Sequence, residues 1–471
     1  MFQRKPFFLL FVAYTALRIF SYFFGPETPL QTQHIVNTIV SLIFLALAAA
    51  LIVQGDKRGW YLILLEIILG GSGNYLAAFG LTVRTWLVII AIPLYIFRLF
   101  WKKYWHGFWQ REYKMVGLLA IFLTIIGLQG LRGFLNDHDL KLIIGDTIPY
   151  AYILYYFPLR ELLRDQGFKR LAGNALMAAI AGNALFMLFT FTGFSSGVLQ
   201  LQDSYYHWYR DVAEGKITEL PFHFYRLVLN EHLLLVPTLL YLVYRRFYQR
   251  HLHPILYTIL PALLLLVISI NLTRIYLVAL VVGLVALFNH TEWRRWLLGS
   301  LVTLLFFGGT FTTIHLIASR GASLGWEIFG LRLQSIVSPQ IEESSLSRML
   351  ILPKIIEKIQ THPLIGEGLG ATVSVYSPTF KKITTTPHFD WGYLEIAAEL
   401  GAIGLLVWGA IIALIFRIYK KNQLPKWQLA SFLALLVINL TSPALFHVLG
   451  IIWIIILLVL PSIRPNDVSS K

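Results

Sequence analysis

A chain of 471 residues that is 57% hydrophobic and only 13% charged carries too much apolar surface for a water-soluble fold, which excludes soluble enzymes and free binding modules. A formal charge of +15 would point to nucleic acid in a soluble protein, but here the basic residues gather in clusters between apolar runs, so no nucleic-acid partner is implied. With no cysteine there is no disulfide, no thiolate metal site and no cysteine nucleophile.

The first apolar run, Phe7 to Phe24, follows a basic start and has no small-x-small cleavage site, so it is read as a retained span. Further apolar segments, each about 20 residues as a bilayer core demands, centre near 35–54, 60–79, 85–101, 115–134, 141–160, 171–193, 224–244, 254–271, 272–289 and 296–317. Three more follow a long polar stretch, near 390–416, 427–446 and 447–461. The expected fold is all-α, a polytopic transmembrane bundle of about 12–14 spans. Two junctions, Asn271 to Arg274 and Ser442 to His447, are short enough to be re-entrant.

Basic clusters recur after alternate runs, at Lys57/Arg58, Arg160/Arg164/Lys169/Arg170, Arg245/Arg246/Arg250, Arg294/Arg295 and Arg417/Lys420/Lys421/Lys426. The positive-inside rule then makes both termini cytoplasmic and residues 318–387 a large external loop. The chain divides into a first helical block (1–317), this loop, and a C-terminal block (388–471). Trp101 to Trp109 reads as an interfacial aromatic belt.

Inside the loop, Leu352, Ile355, Ile356 and Ile359 have helical spacing and Pro353 suits a first turn, so short helices lying over the bundle are expected. The segment His362 to Ala371 (HPLIGEGLGA) is dense in glycine. His388 to Gly404 (HFDWGYLEIAAELGAIG) re-enters an apolar helix carrying His, Asp and Glu. Without a βαβ context the glycines Gly366, Gly368 and Gly370 read as a tight turn with close backbone approach, not a nucleotide loop.

Charges at bilayer depth cost about 2.5–3.5 kcal/mol each and need a partner or a purpose. Arg226 opens the span after 220, and Arg274 opens the helix after Asn271, both at the external face by the parity above. Two guanidiniums at one level can clamp a diphosphate through bidentate hydrogen bonds. The bland alternative is that they snorkel to headgroups. Arg18, Glu66, Asp146 and Glu231 are further intramembrane charges; Glu66 and Asp146 are candidate partners for Arg18, while Glu231 lies near Arg226 on the same expected helix. Glu395 and Glu399 are expected to pair with an arginine. No histidines have metal spacing beyond His251 and His253, read as interfacial.

The glycine turn and the helix entry after it resemble the "hPxxGxGxG" and "HNxxLxxxxExGxxG" patterns of the bacterial O-antigen ligase/polymerase superfamily, with Leu394, Glu399, Gly401 and Gly404 in register. Asp390 stands where the ligases carry histidine, and His388 lies two residues upstream. Thr273-Arg274 resembles the family's "SR" motif, Arg226 its arginine before "lgNpN", and Arg348 a loop arginine. The resemblance implies a metal-independent, inverting glycosyltransferase of the inner membrane with no cofactor. Its donor would be a polyprenyl diphosphate-linked glycan and its acceptor a glycan or lipid. Arg226, Arg274 and Arg348 would hold the diphosphate, and His388 or Asp390 would take the acceptor proton. A polymerase is the first expectation, a ligase the second and a protein O-oligosaccharyltransferase the third. A lipid-linked oligosaccharide flippase or secondary transporter remains the rival class; it would show repeated halves, and no repeat is visible.

Overall fold

The structure is a computed structural model that describes residues 4–25, 31–101, 105–249, 256–338, 343–377, 382–387, 389–422 and 424–460. His388, His251, His253 and residues 102–104 of the expected aromatic belt lie outside the described residues. The architecture is all-α and polytopic, as its composition requires.

Helices α1 (Arg4–Phe24) and α2 (Gln31–Gln54) precede α3 (Arg58–Leu69). The span expected over 60–79 stops at Leu69, because Gly70, Gly71 and Gly73 follow and Gly71 takes φ +55°. The chain then turns through a short hairpin of β1 (Ala77–Ala78) and β2 (Leu81–Thr82) into α4 (Val83–Trp101). Next come α5 (Trp105–Leu135) and α6 (Leu140–Ala151). Pro149 offers no N–H to the last turn of α6, which tightens into a 3-10 segment over Tyr152–Tyr155 before α7 (Tyr156–Leu162). Asp165 caps α8 (Gln166–Ser195) by accepting the Phe168 N–H at 3.0 Å.

After α8 the chain makes α9 (Ser204–Asp211) and an antiparallel hairpin of β3 (Gly215–Leu220) and β4 (Phe224–Leu229). This corrects the expected span at 224–244. Arg226 lies on a strand, paired with Thr218, and the helix α10 (Leu235–Tyr248) starts nine residues later. The segment Phe224–Leu229 is rich in aromatic and branched residues, and Phe222 and His223 take positive φ as the hairpin turn. Helices α11 (Leu256–Asn271), α12 (Arg274–Ala286) and α13 (Trp293–Ala318) follow.

The long loop holds α14 (Trp326–Val337), α15 (Glu343–Thr361) and a hairpin of β5 (Val373–Ser377) and β6 (Lys382–Thr386). Then come α16 (Gly392–Asn422), α17 (Lys426–Ile438) and α18 (Val448–Val459). In α15 Pro353 sits inside the helix instead of opening it. The buried positions are Ile351 and Ile355 with Ile359 beside them, whereas Ile356 is exposed. They pack on Ala371, Val373, Phe389 and Ala398, so the loop has an apolar core of its own that reaches α16.

Seven of the described helices are long and apolar enough to cross a membrane, and α11, α12, α17 and α18 are shorter apolar helices. Many of their large side chains face outward, among them Leu9, Ile43, Phe134, Leu305 and Leu406, as suits contact with lipid chains. The bundle has two distinct ends. At one, the basic connections meet: Lys57 Nζ bonds Asp165 Oδ2 at 2.7 Å, Tyr248 OH donates to Leu287 O at 3.0 Å, and Lys426 Nζ to Phe288 O. At the other lie the hairpins and the long loop. The 271–274 and 439–447 junctions are both breaks at this loop end. Asn271 lies beside β4, and Asn439 lies against Gly392.

Candidate active site at the loop end

The glycine turn and the helix after it are one interlocked piece of backbone. Helix α16 is interrupted at Gly401, whose φ of 67° and ψ of −167° belong to a region only glycine occupies readily. Beyond the interruption, Ala402 N–H donates to Pro363 O at 2.9 Å and Ile403 N–H to Leu364 O at 3.1 Å. The helical carbonyls left behind are taken by the turn: Glu367 N–H donates to Ala398 O at 2.8 Å and Gly368 N–H to Glu399 O at 3.1 Å. These four groups at the break thus find partners in the other segment, where an unmet backbone group would cost several kcal/mol.

Close approach sets the glycine positions. A Cβ on Gly366, which has φ +69°, would stand 2.2 Å from Glu399 O. Gly368 lies against the Gly133 backbone, and Gly370 against Ile143. The α5–α6 connection grips the same turn. Leu369 N–H donates to Gln129 O at 3.1 Å, Asn136 Nδ2 to Glu367 O at 2.7 Å, and Gly370 N–H to Asp146 Oδ2 at 2.9 Å. With its N–H groups spent on protein carbonyls and a carboxylate, this turn is a fastener and not an anion cradle.

Asp146 has a second role. Its carboxyl faces that of the buried Glu399, near the Ala371 N–H. Glu399 is buried, and its Oε1 has no hydrogen-bond partner. Glu395, buried one turn earlier, accepts the Phe389 N–H. Among the described residues neither glutamate makes the expected arginine pair; both face carboxylates instead. The long-range partner of Asp146 was invisible in sequence, although an unpaired charge within a span signalled that one had to exist.

Arg226 and Arg274 meet at the break between α11 and α12. Arg226 is buried, donating from Nε to Asn271 O and from Nη2 to Thr273 Oγ1, both at 2.9 Å. Arg274 opens α12 and donates from Nη1 to Ser335 Oγ on α14. Ser335 Oγ in turn donates to Arg332 O at 2.9 Å, which places a buried arginine that sequence reasoning passed over one turn from Ser335. The positive end of the α12 dipole points the same way.

Arg348 lies near one other candidate, Asp390. Its Nε is 3.7 Å from Asp390 Oδ2, and Trp391 Nε1 donates to its carbonyl at 3.3 Å. Asp390 takes φ +58°, two residues before α16, and is half-exposed. The structure therefore sets Arg226 on the residues just before Arg274 and Arg348 near Asp390, with Glu399 and the three glycines on the turn that fastens α16.

The remaining buried charges are paired differently from expectation. Arg18 Nη2 bonds Glu231 Oε2 at 3.0 Å and its guanidinium covers the Tyr14 ring at 3.4 Å, so Glu231 belongs to Arg18 and not to Arg226. Glu66 is instead influenced by Arg84, a buried arginine not singled out in sequence, which donates to Gly71 O and Gly73 O.

Residues 259–409 match the family model described as O-Antigen ligase (Wzy_C). The matched stretch runs from α11 through the long loop to the middle of α16; it contains Arg274, Arg348 and both glycine-bearing segments, and begins after Arg226. Neither the curated proteins nor the solved structures compared with the chain contain a match.

Proposed function

We propose, from the match of residues 259–409 to the O-Antigen ligase family model, that the chain is a membrane glycan-transferring protein, an inverting glycosyltransferase acting on a polyprenyl diphosphate-linked glycan. The observation that carries this reading is the convergence of Arg226 and Arg274 on one helix break at the end of the bundle that bears the loop. Two guanidiniums beside one helix break suit the two phosphates of a lipid carrier, and they would offset the charge that grows on the leaving diphosphate.

The reaction needs no redox partner. The acceptor hydroxyl oxygen attacks the anomeric carbon from the face opposite the diphosphate, and the bond from that carbon to the phosphate oxygen breaks. The hydroxyl proton passes to a base at the head of α16, and polyprenyl diphosphate leaves with the bonding pair. His388 is the first candidate for that base and Asp390, with Arg348 Nε 3.7 Å from its carboxylate, the second. The basic clusters support a cytoplasmic location for the opposite end and for both termini, which sets this chemistry on the external face of a bacterial inner membrane.

Asp390 in the register of the ligase histidine favours a polymerase, whose acceptor is a second lipid-linked repeat, with a ligase next. Purified protein incubated with lipid-linked oligosaccharide should lengthen the glycan with no other acceptor present. Transfer only to an added lipid acceptor would mark a ligase. Arg274→Ala should lower transfer by at least about 100-fold, the scale of losing one transition-state donor, while the thermal transition stays in place. Unchanged activity in that variant removes the diphosphate clamp.

A further inference from the structure

Between α15 and the β5–β6 hairpin the loop forms an open cleft of about 410 Å³, apart from the arginines and from Asp390. Lys354, Glu357, Lys358 and Thr361 line it from one face of α15, at i, i+3, i+4 and i+7, while Ile351, Ile355 and Ile359 turn the opposite face into the loop's core. Glu367 and Ser374 face them from the glycine turn and β5.

The chemistry of the lining is specific. Lys354 Nζ lies 2.8 Å from Glu357 Oε2 and Lys358 Nζ 2.5 Å from Glu367 Oε2, so acceptors and donors stand side by side in two couples. Two lysines against two glutamates give no net charge to attract a phosphate or an anionic headgroup, and the lining is too polar for a lipid chain. A vicinal diol fits such a couple, one hydroxyl donating to the carboxylate and its neighbour accepting from the ammonium. His362 stands at the edge of the cleft, half-buried beside Thr361. The volume is at the low end of the ~300–1,000 Å³ of ligand sites, so the cleft takes a short stretch of chain.

We infer that this cleft is a saccharide subsite that grips sugar rings of the glycan remote from the bond being made. The Glu367 side chain lines it while the Glu367 N–H bonds Ala398 O, one residue from Glu399, so an occupant is held on the same turn that fixes the head of α16. The source of the sugar, donor or acceptor, rests on the glycosyltransferase reading; the recognition of hydroxyls does not.

The test uses the full chain in lipid nanodiscs. Oligosaccharides are released by mild acid from the surface polysaccharide of the cell that makes the protein, sorted into neutral and acidic fractions, and titrated with saturation-transfer NMR. The wild type and Arg274→Ala should bind neutral oligosaccharide alike, and Lys358→Met and Thr361→Val should each weaken it at least 10-fold with an unchanged melting temperature. In transfer assays the same variants should raise KM for the full glycan and leave kcat, and the KM of a lipid-diphosphate monosaccharide, unchanged. A rise confined to the donor's or to the acceptor's KM assigns the source. No binding to the wild type, undiminished binding in both variants, or binding of acidic fractions alone would overturn the subsite. Binding without any transfer removes the enzymatic reading and keeps the subsite; transfer without binding does the reverse.

Discussion

Gly366 and Gly401 carry the fastening between loop and helix, and both need backbone conformations that a Cβ resists. Gly366→Ala should cost about 1–3 kcal/mol from the backbone alone, with the 2.2 Å approach to Glu399 O added to it, and should lower the melting temperature of detergent-solubilised protein. Asp146→Ala leaves the Gly370 N–H without its acceptor, at about 1–3 kcal/mol, whereas Asp146→Asn keeps an oxygen for it and should retain most of the stability. At this scale the sequence was legible in kind: glycine spacing announced a tight turn, and charges in apolar runs announced partners. It was not legible in pairing. Asp146 and Gly370 are 224 residues apart, and Arg18 finds Glu231 across 213, distances over which no periodicity speaks.

Helices with strong apolar runs and clean stops were readable from residue order, α8 and α13 among them. The β3–β4 hairpin was not, because Phe224–Leu229 is apolar enough to pass for the start of a span, and only the positive φ of Phe222 and His223 reveals the turn before it. That misreading mattered, since it put Arg226 on a helix with Glu231 when a strand carries it to the α11–α12 break. Element ends also make a measurable prediction. Asp165 caps α8 and pairs with Lys57, whose hydrogen bond is the main cause holding the carboxyl below its ordinary value. A depressed pKa in the folded state gives stability that is present above the unfolded carboxyl value and is lost as pH falls through the folded one. Asp165→Ala should therefore cost about 1 kcal/mol at neutral pH, and the gap between variant and wild-type melting temperatures should close in acid.

For the molecule as a whole, the expected orientation rests on the parity of the basic clusters, a single rule about lysine and arginine that sums over many connections and tolerates errors in any one boundary. The absence of cysteine makes orientation easy to check. In intact cells stripped of their outer membrane, Tyr376→Cys on the loop hairpin should react with a membrane-impermeant maleimide, and Arg58→Cys should react only after lysis. The opposite pattern would turn the protein over. The shared hydrogen bonds of the glycine turn and α16 also bear on biogenesis. A ribosome delivers the turn before it delivers Ala398 to Ile403, so the loop must wait, its donors and acceptors wetted, until the later segment enters the bilayer and closes it. Chains halted ahead of that segment should expose the loop to proteases, and a cell's quality control would read them as unfinished.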